Sequence, residues 1–195
     1  MPLILLNKPY RVLCQFRDAA GRDTLANYVS DRAVYPAGRL DFDSEGLVIL
    51  TDDGRLQGRI SEPRFKLDKH YWVQVEGDAT NGQIRKLSAG VTVRKHLAKA
   101  LFAGKIAQPP NLWVRSPPIR ERHNIPTSWL SIVIDEGKNR QVRRMTAAVG
   151  LPALRLIRHR VGPWRLKGLQ PGEIEELKTA RAWEALKGYS VPPFD

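Results

Sequence analysis

Asp41, Asp43 and Glu45 alternate within the stretch GRLDFDSEGLVILTDDG, residues 38–54, ahead of a run of apolar residues. Carboxylates at this spacing, closing on a glycine, suggest three kinds of chemistry. The order Asp41, Asp43, Glu45, Gly46 imitates positions 1, 3, 5 and 6 of a calcium-binding loop. The imitation stops there, because the twelfth position is Asp52 where a bidentate glutamate is needed, and VYPAGRL replaces the entering helix. A second chemistry needs only one carboxylate. Arg39 and Asp41 are two residues apart and share a face if extended, so Asp41 could be an ionised nucleophile or base held beside a cation. A retaining glycosidase using Asp41 with Asp43 or Glu45 is a third possibility, although a basic chain suits a neutral sugar poorly. The plain alternative is an ion pair at the edge of a turn. The residues alone leave this choice open.

Such a loop has to be held by strands. LILLN and VLCQF (residues 12–16) read as strands joined by the turn KPYR, and LVILT, between Gly46 and the sequence DDG, reads as a buried strand. Residues 24–29 suit a short helix, and residues 56–60 another, stopped by Pro63. HYWVQVEG and WLSIVIDEG read as strands on their β-branched and aromatic content. Thr80 is placed to cap a helix ending at Gly90, and residues 139–149 form the clearest helix. VTV and LAKALFAGKIA suggest further strands. Residues 108–126 contain five prolines and must be an extended loop. LRLIRHRVGPWRL suggests a strand with one basic face, and the last 25 residues a helical tail. The expected fold class is therefore α+β with a mostly antiparallel central sheet. Residues 1–195 form one domain, divisible into two lobes of about 1–64 and 65–195 that share the sheet.

The chain has 32 Lys and Arg against 20 Asp and Glu, a net charge of +12. Residues 137–168 hold nine of the basic residues and no acid, which favours a polyanionic partner such as nucleic acid. One cysteine, Cys14, excludes an intrachain disulfide, and the four histidines show no metal-ligand spacing. No apolar run is long enough to span a bilayer and no signal peptide is evident, so the expectation is a cytoplasmic protein with no membrane association.

Four segments in register carry a resemblance. GRLDFDSEGLVILTDDG resembles the GRLD-x4-GL-x2-LT-x-DG motif of RsuA-type pseudouridine synthases, which isomerise uridines in ribosomal RNA. LLNKPYRVL, KHYWVQVEG and EGKNRQVRRM are similar to the family's other motifs, in the same order, and the likeness runs from about residue 3 to 171. The segment PPIRERHNIPTSWL resembles an insertion of the branch acting on large-subunit (23S) rRNA. Many members begin with an S4-type RNA-binding domain; this chain starts at the catalytic motifs, as that branch does.

The resemblance implies the pseudouridine synthase catalytic fold and the conversion of a specific 23S rRNA uridine to pseudouridine. The partner would be ribosomal RNA or a large-subunit precursor. Neither metal nor small-molecule cofactor is needed, and a monomer is expected. Residue by residue it makes Asp41 the catalytic aspartate and Arg39 the side chain that enters the RNA stem as the uridine leaves. Tyr71 becomes the stacking tyrosine, Arg143 the arginine paired with the aspartate, and Val142 a wall of the base pocket; apart from the resemblance, Trp72 could add aromatic surface to such a pocket. Arg140, Arg144, Arg155, Arg158 and Arg160 would meet phosphates, and Arg120 and Arg122, with Arg115, would make a second contact from the insertion. A non-catalytic RNA-binding or ribosome-assembly factor on the same fold is the competing reading; it would not need Asp41, Tyr71 and Arg143 together.

Overall fold

The computed structural model describes residues 2–119 and 125–191. In chain order the elements are β1 (Pro2–Lys8), β2 (Tyr35–Pro36), β3 (Glu45–Thr51), α1 (Gly54–Ser61), β4 (Lys69–Glu76), α2 (Asn81–Ala89), β5 (Val91–Val93) and β6 (His96–Ala98). They continue with β7 (Phe102–Ile106), β8 (Thr127–Ile134), α3 (Gln141–Ala148), β9 (Ala153–Val161), β10 (Trp164–Arg165), β11 (Ile174–Lys178) and α4 (Thr179–Lys187). Every strand pair described below is antiparallel, and the class is α+β, as the sequence suggests. The chain divides into two compact units: the first runs to Leu67 and resumes at Arg158, and the second is Asp68–Ile157.

In the first unit β1 lies between β3 and β11, with Leu3 opposite Thr51 and Leu177, and Leu6 opposite Val48 and Ile174. Leu3 to Leu6 and Leu47 to Leu50 are almost wholly buried. A strand covered on both faces reads as a continuous apolar run, which is why LILL and LVIL do not alternate. The edge strand β11 is charged and half-exposed, a composition that discourages pairing with other chains. α1 buries Leu56 and Ile60.

The cap of α1 is Asp53, whose carboxylate accepts from the Arg55 and Leu56 amides at 2.9 and 3.0 Å. Its other oxygen accepts from Trp183 Nε1 at 3.1 Å, tying the cap to α4. The Leu56 amide and the Trp183 indole hold its carboxyl below the ordinary aspartate range. Replacing it with alanine should cost about 1 kcal/mol at neutral pH. A carboxylate depressed in the folded state stabilises above its unfolded pKa and stops doing so as pH falls through its folded value. The gap between wild type and Asp53→Ala should therefore be full at pH 7 and close in acid, as read by urea unfolding at each pH.

In the second unit β8 lies between β4 and β7, with Tyr71 opposite Ile132, Glu76 opposite Thr127, and Ile106 opposite Trp129. Tyr71, Val73 and Val75 take the buried face of β4, while Trp72, Gln74 and Glu76 are half-exposed. α2 starts at the Thr80 cap, with Gln83 closing a capping box, and ends at Gly90. The Gln83 amide also donates to the Val149 carbonyl at 2.9 Å, joining α2 to the end of α3.

Two expectations fail. VLCQF is not a strand: it makes a single bridge, Leu13 to Thr24. The cause lies just upstream, where the Lys8 ammonium donates to the Pro9 and Val12 carbonyls at 2.7 and 2.9 Å and folds the chain back on itself. The C-terminal segment is not wholly helical either; β11 precedes α4, because β1 offers a free edge that a local pattern cannot reveal.

Candidate active site

The alternating carboxylates sit in the connection from β2 to β3. The Ala37 amide donates to the Ile49 carbonyl at 2.7 Å, the Arg11 amide to the Phe42 carbonyl at 2.9 Å, and the Ser44 amide to the Asp41 carbonyl at 3.1 Å. Leu40 is buried and anchors the loop, leaving Arg39 exposed and Asp41 half-buried on either side of it. Arg39 and Asp41 thus come from one tethered turn, the cation facing solvent and the carboxylate partly sheltered.

Beneath this loop lies a buried layer of cations that the residue pattern does not disclose. Lys8 is wholly buried and Arg158 is 3 % exposed. Burial pulls the Lys8 ammonium down to about 8, while Cys14, Glu45 and Asp43 oppose that shift and Arg158 adds to it. Glu45 is buried as well. The acidic stretch in a basic chain therefore has a local electrostatic reason, since Asp43 and Glu45 offset cations withdrawn from water. Among the described residues no group of three or more His, Cys, Asp and Glu side chains gathers as a metal shell.

Arg158 donates from Nε to the Leu47 carbonyl at 2.9 Å and from Nη2 to the Gly38 carbonyl at 3.0 Å. Gly46 has φ +106°, and a Cβ there would fall on the Arg158 backbone, 2.9 Å from its amide nitrogen and closer still to its carbonyl oxygen. Only glycine lets the two strands approach so closely.

In the second unit Tyr71 and Val142 are buried and Arg143 is half-buried. Arg143 stands in the first turn of α3 and donates from Nη1 to the Ala153 carbonyl at 3.1 Å. The turn before α3 is fixed by Gln141, which accepts from the Lys138 amide at 3.0 Å and donates to Glu136 at 2.6 Å. The described part of the proline-rich segment is braced by Arg115, whose guanidinium donates to the Pro117, Pro118 and Leu154 carbonyls. With Gln74, Glu76 and Thr127 it walls a cleft of about 580 Å³.

The other arginines read from sequence have different surroundings. Arg140 is exposed with φ +52°, and Arg144 donates to Asn139 at 2.6 Å. Arg155, Arg158 and Arg160 do not form a solvated basic face: all three are buried. Arg155 donates to the Trp113 carbonyl at 3.0 Å and lies 5.6 Å from its ring centre. Arg160 donates to the Gly162 carbonyl at 2.7 Å and to the Tyr189 hydroxyl at 2.8 Å. A guanidinium can be buried this way because its planar fork satisfies several carbonyls at once. Arg120 and Arg122 lie outside the described residues.

With this geometry in place, relatives define the class. The family model described as RNA pseudouridylate synthase matches residues 2–148. A solved structure described as a pseudouridylate synthase superposes with a TM-score of 0.75 at 26 % identity, covering 95 % of this chain and 74 % of its own. The chain belongs to the RNA pseudouridylate synthase family, whose reaction is an isomerisation, and it has that family's fold. It is 51 % identical over 175 residues to the ribosomal large subunit pseudouridine synthase E of Vibrio vulnificus, covering 90 % of this chain and 74 % of that one. To the protein of the same name from Xanthomonas campestris pv. campestris it is 51 % identical over 183 residues, covering 92 % and 98 %.

Proposed function

We propose that this chain converts one uridine of large-subunit (23S) rRNA to pseudouridine, with Asp41 as the reacting carboxylate. The observation that carries this reading is half-identity, over nine-tenths of the chain, to proteins named ribosomal large subunit pseudouridine synthase E. The tethered loop that presents Asp41 supports it from the structural side.

The reaction breaks the N1–C1′ bond of uridine and makes a C5–C1′ bond. C5 gives up its proton and N1 gains one, so no group is imported and the atoms balance within the nucleoside. A carboxylate next to C1′ can stabilise or capture positive character on the sugar, as in glycoside hydrolysis; removal of the C2′ proton and addition to the uracil ring are the other routes open to Asp41. Each route needs the ionised form. No second carboxylate is required to activate water, since water adding to C1′ in place of C5 would hydrolyse the nucleoside instead of isomerising it. Tyr71 and Val142, both buried apolar surfaces, suit a pocket that excludes water. In this reading Tyr71 stacks on the uracil and Arg143 is the cation paired with Asp41, as the resemblance implies.

A uridine stacked in rRNA cannot reach a sheltered carboxylate and must be flipped, at a cost of a few kcal/mol. Arg39, exposed on the same turn as Asp41, is suited to fill the vacated position. Arg39→Ala should lower turnover on a base-paired target by roughly 10–100-fold, in line with a lost flipping contribution of that size. It should do so far less on an RNA whose target uridine is already unpaired. Equal losses on both RNAs would remove Arg39 from the flipping step.

The reading as a whole is tested by incubating the protein with unmodified 23S and 16S rRNA and mapping pseudouridine in each. Conversion of one 23S uridine is expected. Conversion in 16S alone would overturn the substrate, and conversion in neither, with RNA still bound, would favour a binding protein.

A further inference from the structure

Arg158 reads from sequence as a phosphate contact, but its guanidinium is directed inward. We propose that Arg158 is a positioning residue, which fixes the loop bearing Arg39 and Asp41 in the register that the reaction needs. The inference rests on Asp41 being the reacting carboxylate.

Three features converge on one residue. The guanidinium donates to the carbonyl of Gly38, where the loop begins, and to that of Leu47, where it ends. Nη1 adds a longer contact, 3.5 Å, to the carbonyl of Arg39 itself. The Arg158 backbone is what the Gly46 α-carbon packs against, so main chain and side chain grip the same loop. These partners are 111 to 120 residues away in sequence, and the arginine is 3 % exposed. Phosphate binding would need the guanidinium turned out to solvent, with three carbonyls abandoned. A fork of fixed geometry spanning both ends of a loop sets its width, which a lysine, with one point of charge on a flexible stem, cannot do. Arg39, Asp41, Asp43 and Glu45 all lie between the two ends, so a small change in loop width moves the reacting carboxylate relative to the sugar. Misplacement of a reacting group by about 1 Å costs about 100-fold in rate.

The test compares wild type with Arg158→Lys and Arg158→Gln on an unmodified 23S rRNA transcript. Thermal melts first set a temperature at which all are folded. Single-turnover rate at saturating RNA, RNA affinity, and hydrogen exchange of the backbone amides are then read for each. Both variants should lose about 100-fold in rate, keep affinity within about twofold, and exchange faster only at residues 38–47. Glutamine serves if lysine, left buried and poorly paired, prevents folding. A full rate at saturating RNA with weaker, less salt-dependent binding would make Arg158 a phosphate contact and overturn the proposal. Faster exchange spread evenly through the first unit would overturn it too, by reducing Arg158 to general support. If wild type itself makes no pseudouridine, the functional reading fails, and exchange at residues 38–47 still decides whether Arg158 clamps the loop.

Discussion

Asp41→Asn is expected to bind 23S rRNA with nearly unchanged affinity and to convert it at least about 10⁴-fold more slowly. Asparagine has nearly the same size and shape, so the turn held by the Phe42, Ser44 and Ala37 hydrogen bonds, all of them backbone bonds, should survive. What is lost is the negative charge, and with it the ability to stabilise C1′, form a bond to it or accept a proton. Removing the reacting group itself is among the most costly single changes in an active site, and 10⁴ corresponds to about 5 kcal/mol of barrier. Single-turnover conversion with enzyme in excess checks this without interference from product release.

Gly46→Ala should be the most damaging single change of one methyl group near the site. The added Cβ would collide with the main chain of Arg158, which cannot rotate away as a side chain can, and φ +106° is itself unfavourable for alanine. A loss of about 3 kcal/mol is expected from overpacking and backbone strain together, which for a chain of this size lowers the melting temperature by roughly 10 °C. Turnover should also fall at temperatures where the variant is fully folded, since relief of the clash must move either β9 or the loop that leads to Asp41. Calorimetry and turnover at 20 °C separate the two effects.

The loop around Asp41 was legible because its determinants are local: a short order of turn residues, then a four-residue apolar run entering the sheet. α2 was legible for the same reason, with Thr80, Gln83 and Gly90 supplying both ends within ten residues. The arginines of β9 were not. A guanidinium facing solvent and one donating to carbonyls more than a hundred residues away leave the same letter at the same spacing, and the basic charge of the chain argues for the first. Arg158 is thus misread by any local argument, and so is Lys8, whose inward turn also undoes the strand expected at VLCQF. The strand at Ile174–Lys178 was hidden for a related reason, because its charged sequence IEELK suits an edge only once β1 is known to present one.

The division of labour in the acidic stretch also changes. Spacing suggests three equivalent carboxylates. The structure separates them: Asp41 is half-buried in a turn beside an exposed arginine, whereas Glu45 is buried, and it and Asp43 both act electrostatically on the buried Lys8. Asp43 and Glu45 belong with the buried cations that hold the loop, and Asp41 with its half-exposed side.

The central claim, that Asp41 of this chain isomerises a uridine of large-subunit rRNA without an added cofactor, is tested most directly by one mass-spectrometric map. Unmodified 23S rRNA is incubated with wild type or with Asp41→Asn, in buffer containing a metal chelator, and pseudouridine is located in each product. The account predicts one fully converted uridine with wild type and none with the variant; equal conversion by the two proteins would contradict it.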